Sequence, residues 1–141
     1  MPERDLRSNL EMQLALNGLI ATNTTTDGFI IDTAHYDSGV MFGFAVTSYV
    51  DGTYAVNLQD GDESDLSDAA TIADAKIIGD KSTIILTAGT AEGALLSTLG
   101  ITDTKRYVRV QIISTLTSDG AIISVVAVKK AELLPVIDPD V

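Results

Sequence analysis

Residues 104–114 read Thr104-Lys105-Arg106-Tyr107-Val108-Arg109-Val110-Gln111-Ile112-Ile113-Ser114, and in them cationic and apolar side chains alternate at a spacing of two. A helix repeats every 3.6 residues and a strand every two, so this stretch is confined to extended structure. The alternation is imperfect: it sets Tyr107 against Arg106, Val108 and Val110. After the turn Ser118-Asp119-Gly120 comes Ala121 to Val128, almost wholly apolar and rich in Ile and Val, the residues that favour strands. The pair reads as a buried central hairpin.

The same signals recur upstream. Gly39 to Ser48 carries Val40, Phe42, Phe44 and Val46 on one face and Met41, Gly43 and Ala45 on the other, whose small residues predict close packing against another layer. Asp51-Gly52 is a tight-turn dipeptide, so a second hairpin is expected into Thr53–Leu58, where Tyr54, Val56 and Leu58 share a face. Leu19 to Thr22 and Phe29-Ile30-Ile31 read as short edge strands, and Lys76 to Ile78 and Ser82 to Thr87 as further short pieces. The glycine-containing stretch Ala88 to Thr104 reads as a loop with room for one helical turn, with Ile101 tucked under the sheet. Seven or eight short strands at turn-punctuated intervals predict an all-β fold, a jelly-roll-like β-sandwich.

Two flanking segments frame that sandwich. Leu6, Leu10 and Leu14 recur at every fourth position, which suits a short helix or, equally, an extended arm over residues 1–17. The other end, Lys129 to Val141, contains Pro135 and Pro139, which cannot donate ladder bonds and bias their predecessors to extended geometry. The expected division is an N-terminal arm over 1–17, a sandwich over 18–130 and a C-terminal arm over 131–141.

With 141 residues, the chain is long enough for one core, filled mainly by aliphatic side chains because aromatics are 5% and Trp is absent. Cysteine is also absent, which excludes disulfides, thiolate metal sites and cysteine catalysis. Neither a signal-peptide core nor a run of about 18 uncharged apolar residues occurs, so a soluble, untargeted protein is expected. The formal net charge of −11 opposes binding to nucleic acid and anionic membranes. It is concentrated: from Ser8 to Ala75 there are eleven acidic residues and no Lys or Arg.

Candidate chemistry is sparse. Asp60 to Asp68 holds enough carboxylates for calcium, yet Asp65 stands where the helix-loop-helix calcium pattern needs Gly and Thr71 where it needs Glu, so a solvated acidic loop is expected. The single histidine, His35, has Asp32 and Ser38 near it in sequence, but no nucleophile-elbow glycines surround any serine, so it reads as a turn residue. Lys105, Arg106 and Arg109 are too few beside an acidic body for nucleic acid; ion pairing within or between subunits is expected. No enzyme, metal or cofactor pattern emerges.

Three pieces in this order, Arg4-Asp5-Leu6-Arg7-Ser8-Asn9-Leu10, Leu58-Gln59-Asp60-Gly61-Asp62-Glu63-Ser64-Asp65 and Lys105-Arg106-Tyr107-Val108-Arg109-Val110, resemble small virion structural proteins of tailed bacteriophages, often encoded near the major capsid gene. The resemblance implies a jelly-roll cement or decoration protein without enzymatic activity or cofactor. It would be made in the host cytoplasm and seated on the outer surface of the capsid, clamping neighbouring major capsid protein subunits and associating with itself as dimer or trimer. On that reading the contacts fall to Arg4, Arg7, Leu10, Lys105, Arg106, Arg109, Leu133, Leu134, Val136 and Ile137. A head-tail connector or tail component, or a carbohydrate-binding jelly-roll module, are the alternatives.

Overall fold

In the computed structural model, residues 10–34, 36–81, 95–102 and 104–131 are described. They form ten strands: β1 (Leu10–Ile20), β2 (Thr25–Asp27), β3 (Ile31–Asp32), β4 (Tyr36–Tyr49), β5 (Thr53–Gly61), β6 (Ala70–Thr71), β7 (Ile77–Ile78), β8 (Leu95–Ile101), β9 (Tyr107–Thr115) and β10 (Ala121–Ala131). One sheet runs β1-β10-β4-β8-β7 and the other β2-β9-β5-β6, with β3 also on β9. All pairings are antiparallel. The protein is an all-β sandwich, and the strand order, with each sheet drawing strands from both halves of the chain, is that of a jelly roll.

Period-two patterning builds the core as expected. Val40, Phe42, Phe44 and Val46 of β4 point inward with Ile123, Val125 and Ala127 of β10, and meet Tyr54, Val56 and Leu58 of β5 and Val108, Val110 and Ile112 of β9. In register, Leu16, Val125 and Phe44 form one buried row, and Ala127, Phe42 and Leu99 the next. Although aromatics are few, Tyr54, Phe42 and Phe44 are the bulkiest of the fully buried side chains. Tyr107 and Arg109 occupy the outer face of β9, and Arg106 lies just before the strand, so it does not share the face of Val108 and Val110.

Several elements depart from the sequence reading. Residues 10–17 belong neither to a helix nor to a free arm: they are most of β1, paired to β10. A bulge explains why its pattern misleads. Register shifts between Leu14 and Leu16, so even-numbered residues face outward before Ala15 and inward after it. The stretch from Leu95 to Ile101 is a strand rather than a loop, pairing β4 on one side and β7 on the other. Ile101 therefore lies within the sheet. Gln59 to Gly61 continue β5 instead of opening the acidic loop. The Ser82–Thr87 piece and the segment from residue 132 onward lie outside the described residues.

Neither expected hairpin exists. β4 and β5 lie in opposite sheets, and so do β9 and β10. Both tight turns carry the chain over the same end of the sandwich, where Asp51 joins them. Its carboxylate accepts hydrogen bonds from the Gly120 amide at 2.7 Å, the Asp119 amide at 3.1 Å, the Ser118 amide at 3.1 Å and the Ser118 hydroxyl at 2.6 Å. In return the Gly120 carbonyl accepts from the Val50 amide at 3.0 Å. Gly120 has φ +94°, and a Cβ there would collide with the backbone of Ile20 and Ala21, so only glycine fits. The buried Tyr54 hydroxyl donates to the carbonyls of Asp51 and Ile20, tying the β1 exit to the same corner.

A second clamp crosses the layers. The Gly28 amide donates to the Val110 carbonyl and the Phe29 amide to the Ala15 carbonyl, both at 2.7 Å, so one dipeptide bridges the two sheets. A Cβ on Gly28 would strike both of those carbonyl oxygens. Gly28→Ala is therefore expected to lower stability by about 2–4 kcal/mol, in the range of severe backbone strain, as read by urea denaturation.

The hydrogen bonds from Ser118 and Gly120 hold the Asp51 carboxyl at about 2, below its ordinary value of 3.8. A lowered folded-state value means stabilisation that is complete above the ordinary value and lost as pH falls toward 2. Asp51→Asn should thus have a lower Tm than the parent at neutral pH, and the gap should close on acidification from about pH 5 to about pH 2. A gap that does not change with pH would show that the charge on Asp51 has no part in the corner.

Candidate interaction surface

The outer faces of the two sheets differ in chemistry. On the β2-β9-β5-β6 sheet the side chains satisfy one another. Gln111 donates to Asp27 at 2.6 Å, Asn57 donates to Gln111 at 2.9 Å, and Arg109 donates to Gln59 at 2.9 Å with Asp27 at 3.5 Å from its guanidinium. This is a polar ladder running across the strands, with the partly exposed Ile113 beyond its end on the same face.

On the other sheet the outward row runs Met12, Val128, Met41, Gly100, Ile78, in direct register across all five strands. Met12 is 70% exposed, Met41 42% and Ile78 62%. Leu10, Leu14, Leu19 and Ile122 add further exposed apolar area on the same face. The sequence predicts a covering layer over Met41, Gly43 and Ala45, but among the described residues none lies there. Between Leu10, Met41, Ile78, Val128 and Lys130 the face dips into a groove of about 310 Å³ whose lining is almost entirely apolar. Gly100 makes the dip: a Cβ there would sit in ordinary contact with Ile78, at 3.6 Å from its Cβ. Exposed apolar patches of this kind, on an otherwise charged molecule, mark interaction surfaces.

Of the residues singled out for contact in the sequence, Leu10 lines this groove. The three cations lie elsewhere, and all make ion pairs within the chain. Arg106 grips Asp32 through two bonds, Nε at 3.0 Å and Nη2 at 3.1 Å, and its guanidinium lies 5.0 Å from the Tyr107 ring centroid. The Arg106 hydrogen bonds hold the Asp32 carboxyl below its usual range and, reciprocally, raise Arg106. Lys105 pairs with Asp62 at 3.5 Å while its amide donates to Asp60. Arg4, Arg7, Leu133, Leu134, Val136 and Ile137 lie outside the described residues, as does His35.

Asp32 connects the two regions. Lys129, only 3% exposed, donates from Nζ to the Asp32 carbonyl at 3.0 Å and approaches Gln13 at 3.5 Å and Glu11 at 3.7 Å, so β10 is joined through one lysine to both β1 and the Arg106 segment. In sequence this lysine is inconspicuous, because Lys129-Lys130 follows an apolar run and resembles a strand end in water.

The acidic loop is occupied with its own backbone. Asp68 accepts from the amides of Asp62 and Glu63, and Asp65 from that of Ser67, and these bonds keep both carboxyls below their usual values. No group of three or more potential metal ligands assembles among the described residues. Nor, among them, is any helix long and apolar enough to cross a membrane. No protein-family model, curated protein or solved structure matches the chain.

The Met12-to-Ile78 row is not visible in sequence because β8 reads as a loop and β1 as a short helix or a free arm, so the strands that place Gly100 and Met12 in the row are missing. The available signal was β10, apolar at nearly every position, which implies a strand needing cover on both sides.

Burial separates the two basic anchors. Lys129→Ala removes a nearly closed charged side chain and the donor to the Asp32 carbonyl, and should cost about 2–4 kcal/mol. Arg106→Ala breaks a half-exposed pair and should cost about 0.2–1 kcal/mol. Equal losses in denaturant titrations would contradict this account.

Proposed function

We propose that this protein is a bacteriophage virion structural protein of the cement or decoration type, which stabilises the shell by bridging neighbouring major capsid subunits on the outer surface. The observation that supports this reading most is the two-faced sandwich: one outer face carries a polar ladder, while the other presents the exposed row from Met12 to Ile78. A rigid body with one adhesive face suits a load-bearing joint, where resistance to outward pressure from packaged DNA comes from buried area. The viral setting itself rests on the sequence resemblance.

Leu10 and Lys130, the one directly following residues 1–9 in sequence and the other two positions before residues 132–141, both line the groove. Arg4, Arg7, Leu133, Leu134, Val136 and Ile137 are proposed as secondary grips on the capsid, adding surface by strand addition or by burial of apolar side chains. Lys105, Arg106 and Arg109 are proposed as rim contacts, because each is already paired within the chain and gains little by changing partner. The net charge of −11 favours an exterior position, away from packaged DNA.

Addition of the purified protein to preformed empty shells tests the reading. It should bind to saturation from outside, and cryo-electron microscopy should show density bridging capsomers. Met41→Lys and Gly100→Val alter only the exposed face or fill the groove floor. Both should stay folded, Met41→Lys within about 0.5 kcal/mol of the parent, and both should bind shells at least about tenfold more weakly, a loss of about 1.4 kcal/mol. Density confined to the tail axis would move the protein to the connector class.

A further inference from the structure

Among the described residues the two sheets have four ends, and three are closed to strand addition by brevity: β2 has 3 residues, β6 has 2 and β7 has 2. β1 has 11. Natural edge strands are guarded by short length, proline, lysine, bulges or inward charges, because an unguarded edge templates pairing with another chain. In β1 the bulge at Ala15 guards only the second half, where the Phe29 amide also occupies the Ala15 carbonyl. The stretch Leu10-Glu11-Met12-Gln13-Leu14 contains no proline, glycine or lysine. Its single charge, Glu11, faces Lys129 of the same chain. Among the described residues no backbone group pairs with its outer edge.

We propose that this edge binds a second copy of the chain: two β1 strands pair antiparallel about a two-fold axis at Met12 and join their sheets into one sheet of ten strands. The register follows from the side chains. A two-fold axis normal to the sheet keeps each residue on its own face, so it must pass through a residue. At Glu11 it would set two carboxylates against each other, which is destabilising. At Gln13 it would drive Ala15, the bulge, into the new ladder. At Met12 the five-residue segment is used in full: Leu10 lies opposite the partner's Leu14, Met12 opposite the partner's Met12, and Glu11 opposite the partner's Gln13. Apolar residues meet on the outer face, and the inner face pairs a carboxylate with an amide. The outward row from Ile78 to Met12 then continues without interruption into the second copy. This pairing does not depend on the capsid reading.

Because the chain has no cysteine, single-cysteine variants read the geometry directly. Directly opposed strand residues bring their Cα atoms to about 4.5–5.5 Å, within the span of a disulfide. Under mild oxidation Met12→Cys should convert almost entirely to a disulfide-linked dimer. Ile78→Cys, comparably exposed on the same face but at the far edge of the sheet, should not. By sedimentation equilibrium the parent should show twice the 14.9 kDa chain mass. Met12→Glu, which places two carboxylates on the axis, should return to the single-chain mass while still unfolding cooperatively, with a Tm that no longer depends on protein concentration as the parent's does. A monomeric parent, a trimer, a dimer indifferent to Met12→Glu, or preferential cross-linking through position 78 would each overturn the proposal.

Discussion

Both tight turns of this chain pass over the edge of the sandwich instead of folding back within a sheet, and the fold depends on that choice. If β4 and β5 paired as a hairpin, and β9 and β10 likewise, each sheet would be a local meander with no call on the other. Carrying the chain across at both points places β4 and β10 side by side in one layer and β5 and β9 in the other. The two crossings then lie close enough for one carboxylate, Asp51, to serve three amides and a hydroxyl of the other turn. Since a turn of three to five residues has few backbone partners of its own, this side chain supplies what the ladder does not.

The opposite end is held differently. There a buried lysine, a threonine that bonds the Arg106 carbonyl through both its amide and its hydroxyl, and the Arg106–Asp32 pair gather segments distant in sequence. One end thus relies on an anion receiving amides and the other on a cation donating to a carbonyl. Between them the core is ordinary aliphatic packing around three buried aromatic rings. Polar chemistry is concentrated at the two ends of the frame, and the outer face of the β1-β10-β4-β8-β7 sheet is mainly apolar, with Lys130 beside its groove and a Ser124–Asn17 hydrogen bond on it.

How much of this could be read from residues alone varies by element. β4, β5 and most of β9 were legible because apolar residues recur at intervals of two and the buried members are those the pattern selects, and β10 because it is a continuous Ile- and Val-rich run after a turn. Their pairing was not, because Asp-Gly specifies a reversal of direction but carries no information on whether the strands beyond it stay in one layer. β1 was misread for a different reason: four is a multiple of two as well as nearly one helical turn, so Leu6, Leu10 and Leu14 fit both periods. Met12, midway between two of them, decides for a strand. The partners of Lys105, Arg106 and Arg109 were anticipated in kind but not in identity, since Asp62, Asp32 and Asp27 are brought to them only by the tertiary fold. The exposed apolar row was least legible, because it is defined by register across five strands, of which β8 reads in sequence as a glycine-containing loop and β1 as a helix or a free arm.

The strand at one edge of the sandwich pairs with the strand that comes last among those described: β1 lies against β10, more than a hundred residues later in the chain. Such a sheet cannot assemble progressively from the N-terminus. During synthesis Leu10 to Ile20 leaves the ribosome early and waits, at about 5–20 residues per second, for its neighbour to be made. Loop closure over that distance also places the protein among slow-folding topologies. For those seconds the same apolar strand has no ladder on either side, so the growing chain exposes more unpaired strand edge than the finished sandwich does.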